Sequence, residues 1–387
     1  MDRVGIYMQV PFCQTKCTYC NFHTGVVSAG RLAPYAAAVS REIREYQRHY
    51  ETAGVEVPSC TQVVDTVYIG GGTPSLLEPA LLGAMLDSIR ETFACDFTEV
   101  TLEADPETIE REKAFAWVSA GINRISFGTQ SFVDEELKAA GRMHRRDDVY
   151  RAVPILRCAG IENISFDLIA GLPKQTADSW RVSLLEAIAL SPEHVSIYMI
   201  EIDEGSRLGL EVLQSGTRYS AKDLPTEESM AAFYETAQEL LKAAGFEQYE
   251  ISNWGKPGVA SRHNLKYWRR EPYFGFGAGA HSFSGTQRWA NGHDAAAYVD
   301  AITSGRSPIQ TVDAVTSGMA LEEEFFLGLR QVSGIDLERI EKQYGVDFHR
   351  KVKELASRGM VEQEGPQVRV PAGKLGVSNE IIVELLR

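Results

Sequence analysis

Short segments rich in β-branched residues alternate, along the first half of the chain, with longer segments whose apolar residues recur every three or four positions. The longer segments have the period of amphipathic helices. Two of them show it most clearly, one with Tyr35, Val39, Ile43 and Tyr46 on a single face and the other with Leu82, Met85, Ile89 and Phe93. The short segments predict six strands, at residues 4–10, 65–69, 99–103, 124–127, 163–168 and 194–200.

Strands that alternate with helices predict βαβ units and a parallel sheet. Six such units make a partial (β/α)6 barrel of the TIM type, so we expect an α/β fold. In barrels of this type the functional residues lie on the loops at the carboxyl ends of the strands. The residues that follow each predicted strand are therefore the first place to look for chemistry.

Polar or sulfur-containing residues stand at the ends of five of the six predicted strands. Three cysteines follow the first strand, and the run Gly70-Gly71-Gly72-Thr73-Pro74 follows the second. Glu103 ends the third strand, Gln130 follows the fourth and Asp167 lies near the end of the fifth. Because the carboxyl ends of parallel strands meet at one rim, we expect these residues to share a site.

The pattern changes after about residue 202. A helix is predicted at 226–244, followed by an aromatic and glycine-rich stretch at 249–285. From about residue 311 we expect a small α+β module of winged-helix outline, with helices at 321–329, 337–344 and 348–357 and a hairpin near Gly365-Pro366. The chain thus divides into a barrel at 1–225, a connecting region at 226–310 and a C-terminal module at 311–387.

The charge balance is acidic. Asp and Glu number 53 against 39 Lys and Arg, a formal net charge of -14, which argues against a nucleic-acid-binding surface. No apolar run approaches membrane-spanning length, and Met1-Asp2-Arg3 leads straight into the first strand without a signal-peptide pattern. We therefore expect a cytoplasmic protein; peripheral contact with a membrane and pairing with a second copy stay open.

The six cysteines fall into two groups. Three lie within eight residues, while Cys60, Cys95 and Cys158 are scattered. Without a secretion signal a disulfide framework is not expected. We predict that the scattered three are small buried side chains, as free cysteines usually are.

Cys13, Cys17 and Cys20 form a CxxxCxxC pattern on one short loop. Three thiolates can bind three irons of a [4Fe-4S] cube and leave the fourth iron without a protein ligand. Such an iron can chelate the amino and carboxylate groups of S-adenosylmethionine, whose carbon–sulfur bond then breaks when the reduced cluster donates an electron. The alternative is a zinc site completed by His23, although structural zinc usually takes ligands from two separated pairs.

The other rim residues are weaker signals by themselves. Gly70-Gly71-Gly72-Thr73-Pro74 lets the backbone approach a ligand closely, but it is equally typical of a tight turn before a helix that starts at Pro74. In the plainest interpretation, four single polar residues only form ion pairs or helix caps at the rim: Glu103, Gln130, Arg142 and Asp167. Their shared position favours a ligand instead, since acidic groups suit an ammonium and ribose hydroxyls, and Arg142 suits a carboxylate.

Four motifs together resemble the HemN-like radical S-adenosylmethionine proteins, and the resemblance covers essentially the whole chain. The motifs are the loop from Cys13 to Phe22, Gly70-Gly71-Gly72-Thr73-Pro74, Asp167-Leu-Ile-Ala-Gly-Leu-Pro-Lys-Gln-Thr176 and Tyr249-Glu-Ile-Ser-Asn-Trp254. Coproporphyrinogen III dehydrogenases of this family carry a fourth cysteine two residues after the third and a long N-terminal extension. Here Phe22 occupies that position and twelve residues precede Cys13, so the resemblance is to the HemW heme chaperones.

The segment from Arg262 to Trp268 is similar to the HNxxYW motif of those chaperones. By this resemblance, heme is implied at His263, Asn264, Tyr267 and Trp268, where an imidazole can ligate iron while Lys266 and Arg262 meet propionates. Judged by composition alone, the segment is a packed aromatic loop with a hydrogen-bonded histidine.

The resemblance also implies contacts with S-adenosylmethionine at Tyr7, Tyr19, Gly71, Gly72, Thr73, Glu103, Gln130, Arg142 and Asp167, with Gly279 and Ala280 as further candidates. Tyr7 is expected at the end of the first strand, near the cluster. The implied function is a chaperone that carries one heme and passes it to apo-hemoproteins such as membrane respiratory enzymes. Two alternatives stay open, an oxygen-independent coproporphyrinogen III dehydrogenase and a zinc-stabilised binding module.

Overall fold

Twelve strands form one curved sheet within residues 3–56 and 62–387, the parts of the chain that the computed structural model describes. The sheet runs in the order β14-β13-β12-β11-β1-β4-β5-β6-β7-β8-β10-β9. Its strands are β1 (Arg3–Val10), β4 (Val63–Gly71), β5 (Ala94–Ala104), β6 (Arg124–Gln130), β7 (Asn163–Ala170), β8 (His194–Met199), β9 (Glu247–Glu250), β10 (Asn253–Gly255), β11 (Tyr273–Phe276), β12 (His281–Phe283), β13 (Gln287–Asn291) and β14 (Ile309–Ala314). A separate pair, β2 (Phe12–Cys13) and β3 (Gly25–Val26), belongs to the loop after β1.

All six predicted strands are present as β1 and β4 to β8, and each pairs in parallel with the next. The partial (β/α)6 barrel predicted from the sequence is therefore confirmed. The helices that follow these strands are α1 (Leu32–Arg44), α2 (Tyr46–Ala53), α3 (Pro79–Thr92), α4 (Arg111–Ala120), α5 (Asp134–Ala139), α6 (Arg146–Ala159), α7 (Ala177–Ala189), α8 (Arg207–Leu213) and α9 (Glu227–Ala243), of which α8 contacts the loop after β1. The last of these confirms the helix predicted at 226–244.

The central strands alternate between an apolar outer face and a polar inner face. Val67 and Ile69 on β4 and Val100 and Leu102 on β5 are fully buried in the main core. Between them, polar side chains point inward and are also buried: Thr66, Glu99, Thr101, Arg124, Ser126, Ser165, His194 and Ser196. Successive residues of a strand face opposite sides of a sheet, so this alternation produces a barrel with a polar interior.

Residues between 247 and 314 extend the sheet at both of its edges. β11 pairs in parallel with β1, and β12, β13 and β14 continue that edge as antiparallel strands. β10 pairs antiparallel with β8, and β9 completes the other edge. The sequence pattern missed these strands because most are only three to five residues long and two of them, β10 and β11, contain glycine.

The short helix α10 (Arg262–Trp268) lies at the end of the barrel formed by the amino ends of its strands. The Glu99 carboxylate on β5 accepts hydrogen bonds from the N–H groups of Arg262 and His263, at 2.8 and 3.1 Å, and from the hydroxyl of Ser261 at 3.1 Å. A negative charge at the start of a helix satisfies N–H groups that have no partner within the helix. The barrel is consequently closed at the end opposite the loops that carry the predicted site.

The C-terminal module has a hydrophobic core of its own. It contains the helices α12 (Ser317–Gly328), α13 (Leu337–Tyr344), α14 (His349–Ser357) and α15 (Ser378–Leu386) and the strands β15 (Ile335–Asp336), β16 (Glu362–Glu364) and β17 (Gln367–Arg369), and α11 (Ala295–Thr303) precedes it. The three predicted helices and the hairpin at Gly365 are confirmed. The division of the chain at residues 225 and 310 stays a prediction.

The prediction of buried scattered cysteines is wrong for Cys95 and Cys158, which are both exposed. Cys95 is the second residue of β5, in the exposed first part of that strand, and Cys158 lies on the outer side of α6. Neither side chain faces the core. Cys60 lies outside the described residues. None of the described helices is long and apolar enough to cross a membrane.

Candidate functional site

A cavity of about 510 Å³ opens at the carboxyl ends of the barrel strands. It falls within the range typical of small-molecule and cofactor sites. Its lining includes Cys13, Cys17, Cys20, Tyr19, Gly71, Gly72, Thr73, Glu103, Gln130, Arg142 and Asp167. The structure therefore brings together the three cysteines and the residues for which the sequence implied a contact with S-adenosylmethionine, apart from Tyr7, Gly279 and Ala280.

The loop that carries the cysteines, residues 13–24, is attached to the barrel at several points. Its start and end pair through β2 and β3. The N–H of Thr18 donates to the carbonyl of Ala140 at 2.9 Å, and the carbonyl of Thr18 accepts from the N–H of Leu208 on α8 at 2.8 Å. These contacts hold the three thiols over the cavity from two sides.

Arg142 links the cysteine loop to the acidic wall of the cavity. Its Nη1 donates to Cys17 Sγ at 3.4 Å, while its Nη2 pairs with the Asp105 carboxylate and donates to the Gly128 carbonyl at 2.9 Å. Asp105 in turn accepts from the Thr73 hydroxyl at 3.1 Å. A guanidinium held this way stabilises a neighbouring thiolate, the form of cysteine that binds metal.

The glycine run approaches the cysteine loop through its backbone. The N–H of Gly72 donates to the Val10 carbonyl at 2.8 Å, and the N–H of Thr73 donates to the Phe12 carbonyl at 2.7 Å. A Cβ on Gly72 would lie 2.5 Å from the Phe12 carbonyl oxygen, so only glycine fits there. Pro74 also begins a 3-10 helix, so the tight turn before a helix start is confirmed, while close approach of this run to a ligand stays a prediction.

Glu103 is half-buried in the lining of the cavity. Its carboxylate accepts from the Gly71 N–H at 2.8 Å and from the Tyr68 hydroxyl at 2.9 Å. Burial raises the pKa of Glu103 to about 7, although both hydrogen bonds act in the opposite direction. A carboxyl in this state is suited to accept a hydrogen bond from an ammonium or hydroxyl group of a ligand.

Asp167 lies on the neighbouring wall. It accepts from the Ser126 hydroxyl at 3.0 Å. Burial raises its pKa, while hydrogen bonds from Ser196 and Ser126 and the positive charge of Arg124 act to lower it. Gln130 stands at a β-bulge of β6 with a left-handed φ of 63°, a conformation that non-glycine residues rarely adopt.

Tyr7 does not occupy the predicted position at the end of the first strand. It lies three residues before the end of β1, one layer below the cavity, and its hydroxyl donates to Gln9 Oε1 at 2.6 Å. Gly279 and Ala280 also lie outside the cavity lining. A Cβ on Gly279 would be 2.9 Å from His293 Nδ1, which places this segment beside the outer side of the cysteine loop.

The residues of the HNxxYW motif are on α10, at the opposite end of the barrel from the cavity mouth. His263 is fully buried, with Nδ1 3.0 Å from the Thr66 hydroxyl and Nε2 2.8 Å from the Tyr267 hydroxyl. Burial lowers its pKa to about 3, so the ring is neutral and both nitrogens are engaged. The ammonium of Lys266 is buried too and pairs with Asp65 at 3.0 Å.

Several residues of the cavity were missed by sequence reasoning. Tyr68, Asp105, Glu107 and Tyr198 all contribute to its lining. Tyr68 and Tyr198 occur at inward positions of strands whose alternate residues are apolar, and that alternation was the available signal. Asp105 follows Glu103 by two residues, at the same side of the strand end.

The zinc alternative receives no support. The ring of His23 stacks on that of His293, with centroids 4.1 Å apart, instead of turning toward the thiols. Three thiols around a large cavity, with a cation beside one of them, fit a larger inorganic cluster with an open position.

Comparison with protein families agrees with this geometry. The model of the radical SAM superfamily matches residues 8–186, and that of the HemN C-terminal domain matches residues 316–372. Among solved structures, coproporphyrinogen III oxidase (HemN) from Escherichia coli, described as a radical SAM enzyme, superposes with a TM-score of 0.82 at 21% identity, covering 99% of this chain and 90% of that one. At that identity the likeness establishes the fold.

Curated relatives are more similar in sequence. The heme chaperone HemW of Bacillus subtilis is 35% identical over 384 residues, which cover 97% of each chain. HemW of Synechocystis is 35% identical over 339 residues, 85% of this chain and 78% of that one, and HemW of Escherichia coli is 35% identical over 281 residues, 72% and 69%. Matches of this extent, together with the radical SAM and HemN C-terminal regions, place the chain in the HemW family of HemN-like radical SAM proteins.

Proposed function

We propose that the protein is a heme chaperone, which binds heme, a [4Fe-4S] cluster and S-adenosylmethionine and transfers the heme to apo-hemoproteins. The observation that carries the proposal is the cysteine loop. Three thiols line one cavity, and the next candidate position is occupied by the exposed side chain of Phe22. The near full-length similarity to relatives named heme chaperones supports the same conclusion.

Cys13, Cys17 and Cys20 would hold the cluster. When bound, a reduced cluster with S-adenosylmethionine on its fourth iron supplies the electron that cleaves a carbon–sulfur bond. Arg142 keeps Cys17 in a positive environment through its contact at 3.4 Å. Gly72 lets the backbone of residues 71–73 pack directly against the cysteine loop, which brings the two walls of the site together.

The remaining polar groups suit the organic cofactor. Glu103 and Asp167 are positioned to accept from an ammonium and from ribose hydroxyls, while Arg142 is the cation available for a carboxylate. Gln130 offers an amide at the same rim. Tyr7 acts below this layer, where its hydroxyl orients Gln9 against Gly71.

A contact surface at the cavity mouth supports delivery to another protein. Tyr198 and Met199, at the end of β8, line the cavity and are exposed, and Ile202, Leu210 and Leu213 in the segment that follows β8 are exposed as well. Exposed apolar residues that cluster around a site mark interaction surfaces. We propose apo-hemoproteins, including membrane respiratory enzymes, as the recipients, and the cytoplasm as the place of transfer.

Heme transfer by anaerobically reconstituted protein is the direct test. The chain is loaded with iron and sulfide, hemin is added, and apomyoglobin is supplied as a recipient whose holo spectrum is distinct. We expect a broad iron–sulfur absorption, one heme per chain, and growth of the holo-myoglobin spectrum faster than from an equal amount of hemin on albumin. A parallel incubation with coproporphyrinogen III and S-adenosylmethionine should yield no protoporphyrinogen IX.

Cysteine variants provide the matched controls. Cys13→Ser, Cys17→Ser and Cys20→Ser should each lose the iron–sulfur absorption, whereas Cys158→Ser, altered at an exposed cysteine outside the loop, should keep it. Full iron loading of all three loop variants would contradict the cluster assignment. If the wild-type chain converted coproporphyrinogen III, the assignment as a chaperone would be replaced by that as a dehydrogenase. If the purified chain contained zinc and no sulfide, it would be a zinc-stabilised binding module.

A further inference from the structure

The motif Tyr249-Glu-Ile-Ser-Asn-Trp254 contributes no residue to the cavity lining, although it is one of the four motifs on which the family resemblance depends. Its first residue lies on β9, and the Tyr249 hydroxyl is 2.8 Å from His194 Nε2 on β8. The side chain of His194 is fully buried inside the barrel. The motif therefore reaches the polar interior through its tyrosine.

A chain of hydrogen bonds runs from Tyr249 to the wall of the cavity. His194 Nδ1 lies 2.8 Å from the Ser165 hydroxyl, and that hydroxyl lies 3.5 Å from Asp167 Oδ1. Asp167 lines the cavity, whereas the other three residues do not. The chain thus reaches the carboxylate from the interior of the barrel, on the side away from a bound ligand.

The direction of each hydrogen bond in this chain follows from its tyrosine end. The Tyr249 hydroxyl accepts from the Ser261 N–H at 3.3 Å, and the acceptor that the structure gives for its own proton is His194 Nε2. Burial lowers the pKa of His194, so the ring is neutral and carries its one proton on Nδ1. Nδ1 then donates to the Ser165 hydroxyl, whose own proton is left for Asp167.

The tautomer of His194 decides what Asp167 meets. With the proton on Nδ1, Ser165 offers its hydroxyl proton to the carboxylate, which stabilises the charged form and fixes its orientation. With the proton on Nε2, Ser165 has to donate to Nδ1 and turns an oxygen lone pair toward Asp167 instead. Ser126 donates to both carboxylate oxygens, at 3.0 and 3.2 Å, whichever tautomer is present.

We propose that Tyr249 and His194 are positioning residues for the S-adenosylmethionine site. Acting through Ser165, they hold Asp167 as an oriented acceptor for an ammonium or hydroxyl group of the cofactor. This inference rests on the proposed function, which assigns Asp167 to the cofactor. Neither Tyr249 nor His194 touches the ligand itself, because neither lines the cavity.

Binding of S-adenosylmethionine to the anaerobically reconstituted full-length chain, measured by equilibrium dialysis, tests the assignment. Tyr249→Phe removes a single oxygen atom, and we expect the dissociation constant to rise about three- to tenfold. His194→Leu should weaken binding to a similar extent. His194→Asn should restore it to within about twofold of wild type, because its amide can occupy the position of the ring Nδ1–H and donate to Ser165.

Tyr234→Phe is the matched control. This tyrosine is buried on α9, and its hydroxyl donates to the carbonyl of Ile251 within the same motif at 2.6 Å, but it lies outside the chain. The variant loses a buried hydrogen bond and should still bind S-adenosylmethionine as the wild type does. Iron–sulfur absorption and urea unfolding of every variant verify that the cluster and the fold are retained.

The tautomer gives a second readout, which a role in packing alone would not change. Heteronuclear NMR of the ring nitrogens, after isotope labelling of histidine, should show His194 in the cofactor-free chain with a protonated Nδ1 and a hydrogen-bonded Nε2. The signal is assigned by its loss in His194→Asn. Tyr249→Phe should shift the Nε2 resonance toward that of a free acceptor, while Tyr234→Phe should not.

The possible results separate this inference from the proposed function. Wild-type affinity in both Tyr249→Phe and His194→Leu, or a proton on Nε2 of His194 in the wild-type chain, would overturn the assignment and leave the cofactor site standing. Equal weakening in His194→Leu and His194→Asn would show that the ring only fills space, and would overturn it as well. A wild-type chain that binds no S-adenosylmethionine would overturn the proposed function, and this inference with it.

Discussion

Gly72 is the residue at which the two walls of the candidate site meet. Its missing side chain leaves room for Phe12, whose carbonyl carbon and nitrogen would each lie 2.9 Å from a Cβ. Phe12 immediately precedes Cys13, so a shift of its backbone moves the first cluster ligand. Position 72 requires glycine because a side chain has no space between the two backbone segments, whatever turn conformation the residue adopts.

We predict that Gly72→Ala lowers iron and sulfide incorporation several-fold and destabilises the protein by roughly 1–3 kcal/mol, because the overpacked backbone has to move. Iron analysis after reconstitution and urea unfolding measure the two effects. Gly83→Ala on α3 is the control, since nothing lies within 4 Å of a Cβ there. It should stabilise the helix by roughly 0.5–1 kcal/mol and leave cluster loading unchanged. Equal loading of both variants would contradict the prediction.

Glu42 is a buried carboxyl away from the cavity. It accepts from the Gly277 N–H at 2.9 Å, from Asn291 Nδ2 at 2.6 Å and from the Tyr298 hydroxyl. Burial raises its pKa to about 7, despite these three donors. The network fixes the turn between β11 and β12, which leads into the segment beside His293.

The raised pKa predicts a pH-dependent stability. Between about pH 4.5 and pH 7 the unfolded chain has lost the Glu42 proton while the folded chain keeps it, so this contribution to stability falls as pH rises. Glu42→Gln removes that dependence. We expect its free energy of unfolding to gain about 2.5 kcal/mol relative to wild type between pH 5 and pH 8. Urea unfolding at both pH values measures the gain, with exposed Glu112→Gln as the control; a constant difference would refute the prediction.

Single residues also show where sequence reasoning succeeds and fails. The rim position of Glu103 and Asp167 followed from strand ends alone, because parallel strands bring their carboxyl ends together. The position of Tyr7 did not follow, since the sequence does not tell how deep a strand residue sits in the barrel. The sequence also does not predict the exposure of Cys95, because β6 pairs with β5 only from Thr101 onward and leaves the start of β5 uncovered on that side.

At the level of elements, the repeating strand–helix pattern was sufficient to predict β1 and β4 to β8. Long periodic segments carry their own signal, whereas β9 to β13 are stabilised by the sheet edges on which they pair. The sequence pattern does not indicate that the segments near residues 253 and 273 pair with the strands at opposite edges of the parallel sheet. Such pairings are tertiary and appear only when the barrel is assembled.

The helix α10 depends on one side chain outside it, Glu99. Glu99 accepts three hydrogen bonds at its N-terminus from inside the barrel. Glu99→Ala would leave buried donors without partners, and we expect a loss of about 2–4 kcal/mol in the free energy of unfolding. Glu110→Ala, which removes an exposed carboxyl paired with Lys113, should cost less than about 1 kcal/mol. Denaturant unfolding compares the two, and similar small losses would show that Glu99 does not hold the helix.

At the scale of the whole molecule, the C-terminal module is joined to the sheet by a charged contact. Glu323 on α12 accepts from Arg270 Nε at 2.8 Å and from Arg288 Nη2 at 2.9 Å. Nearby, Gln331 Nε2 donates to the Trp268 carbonyl at 3.2 Å. Because the module has its own hydrophobic core, these polar contacts determine how tightly the two cores are coupled.

We predict that Glu323→Ala weakens this coupling by roughly 1–3 kcal/mol, because the partly buried guanidinium of Arg288 loses its partner and that of Arg270 keeps only Glu324, at 3.5 Å. Calorimetry should then resolve two transitions where the wild-type chain shows overlapping ones, with the module melting first. Glu384→Ala breaks an exposed pair with Arg358 inside the module and serves as the control. A single, unshifted transition in the Glu323 variant would show that other contacts carry the coupling.

The closure of one barrel end by α10 has a kinetic consequence. A cavity with one opening imposes an order of binding. A small molecule at its base can neither bind nor dissociate while a larger one occupies the mouth. The ligand that binds deepest must therefore bind first and dissociate last. The residence time of the inner occupant is thereby linked to that of the outer one, even if the two never touch.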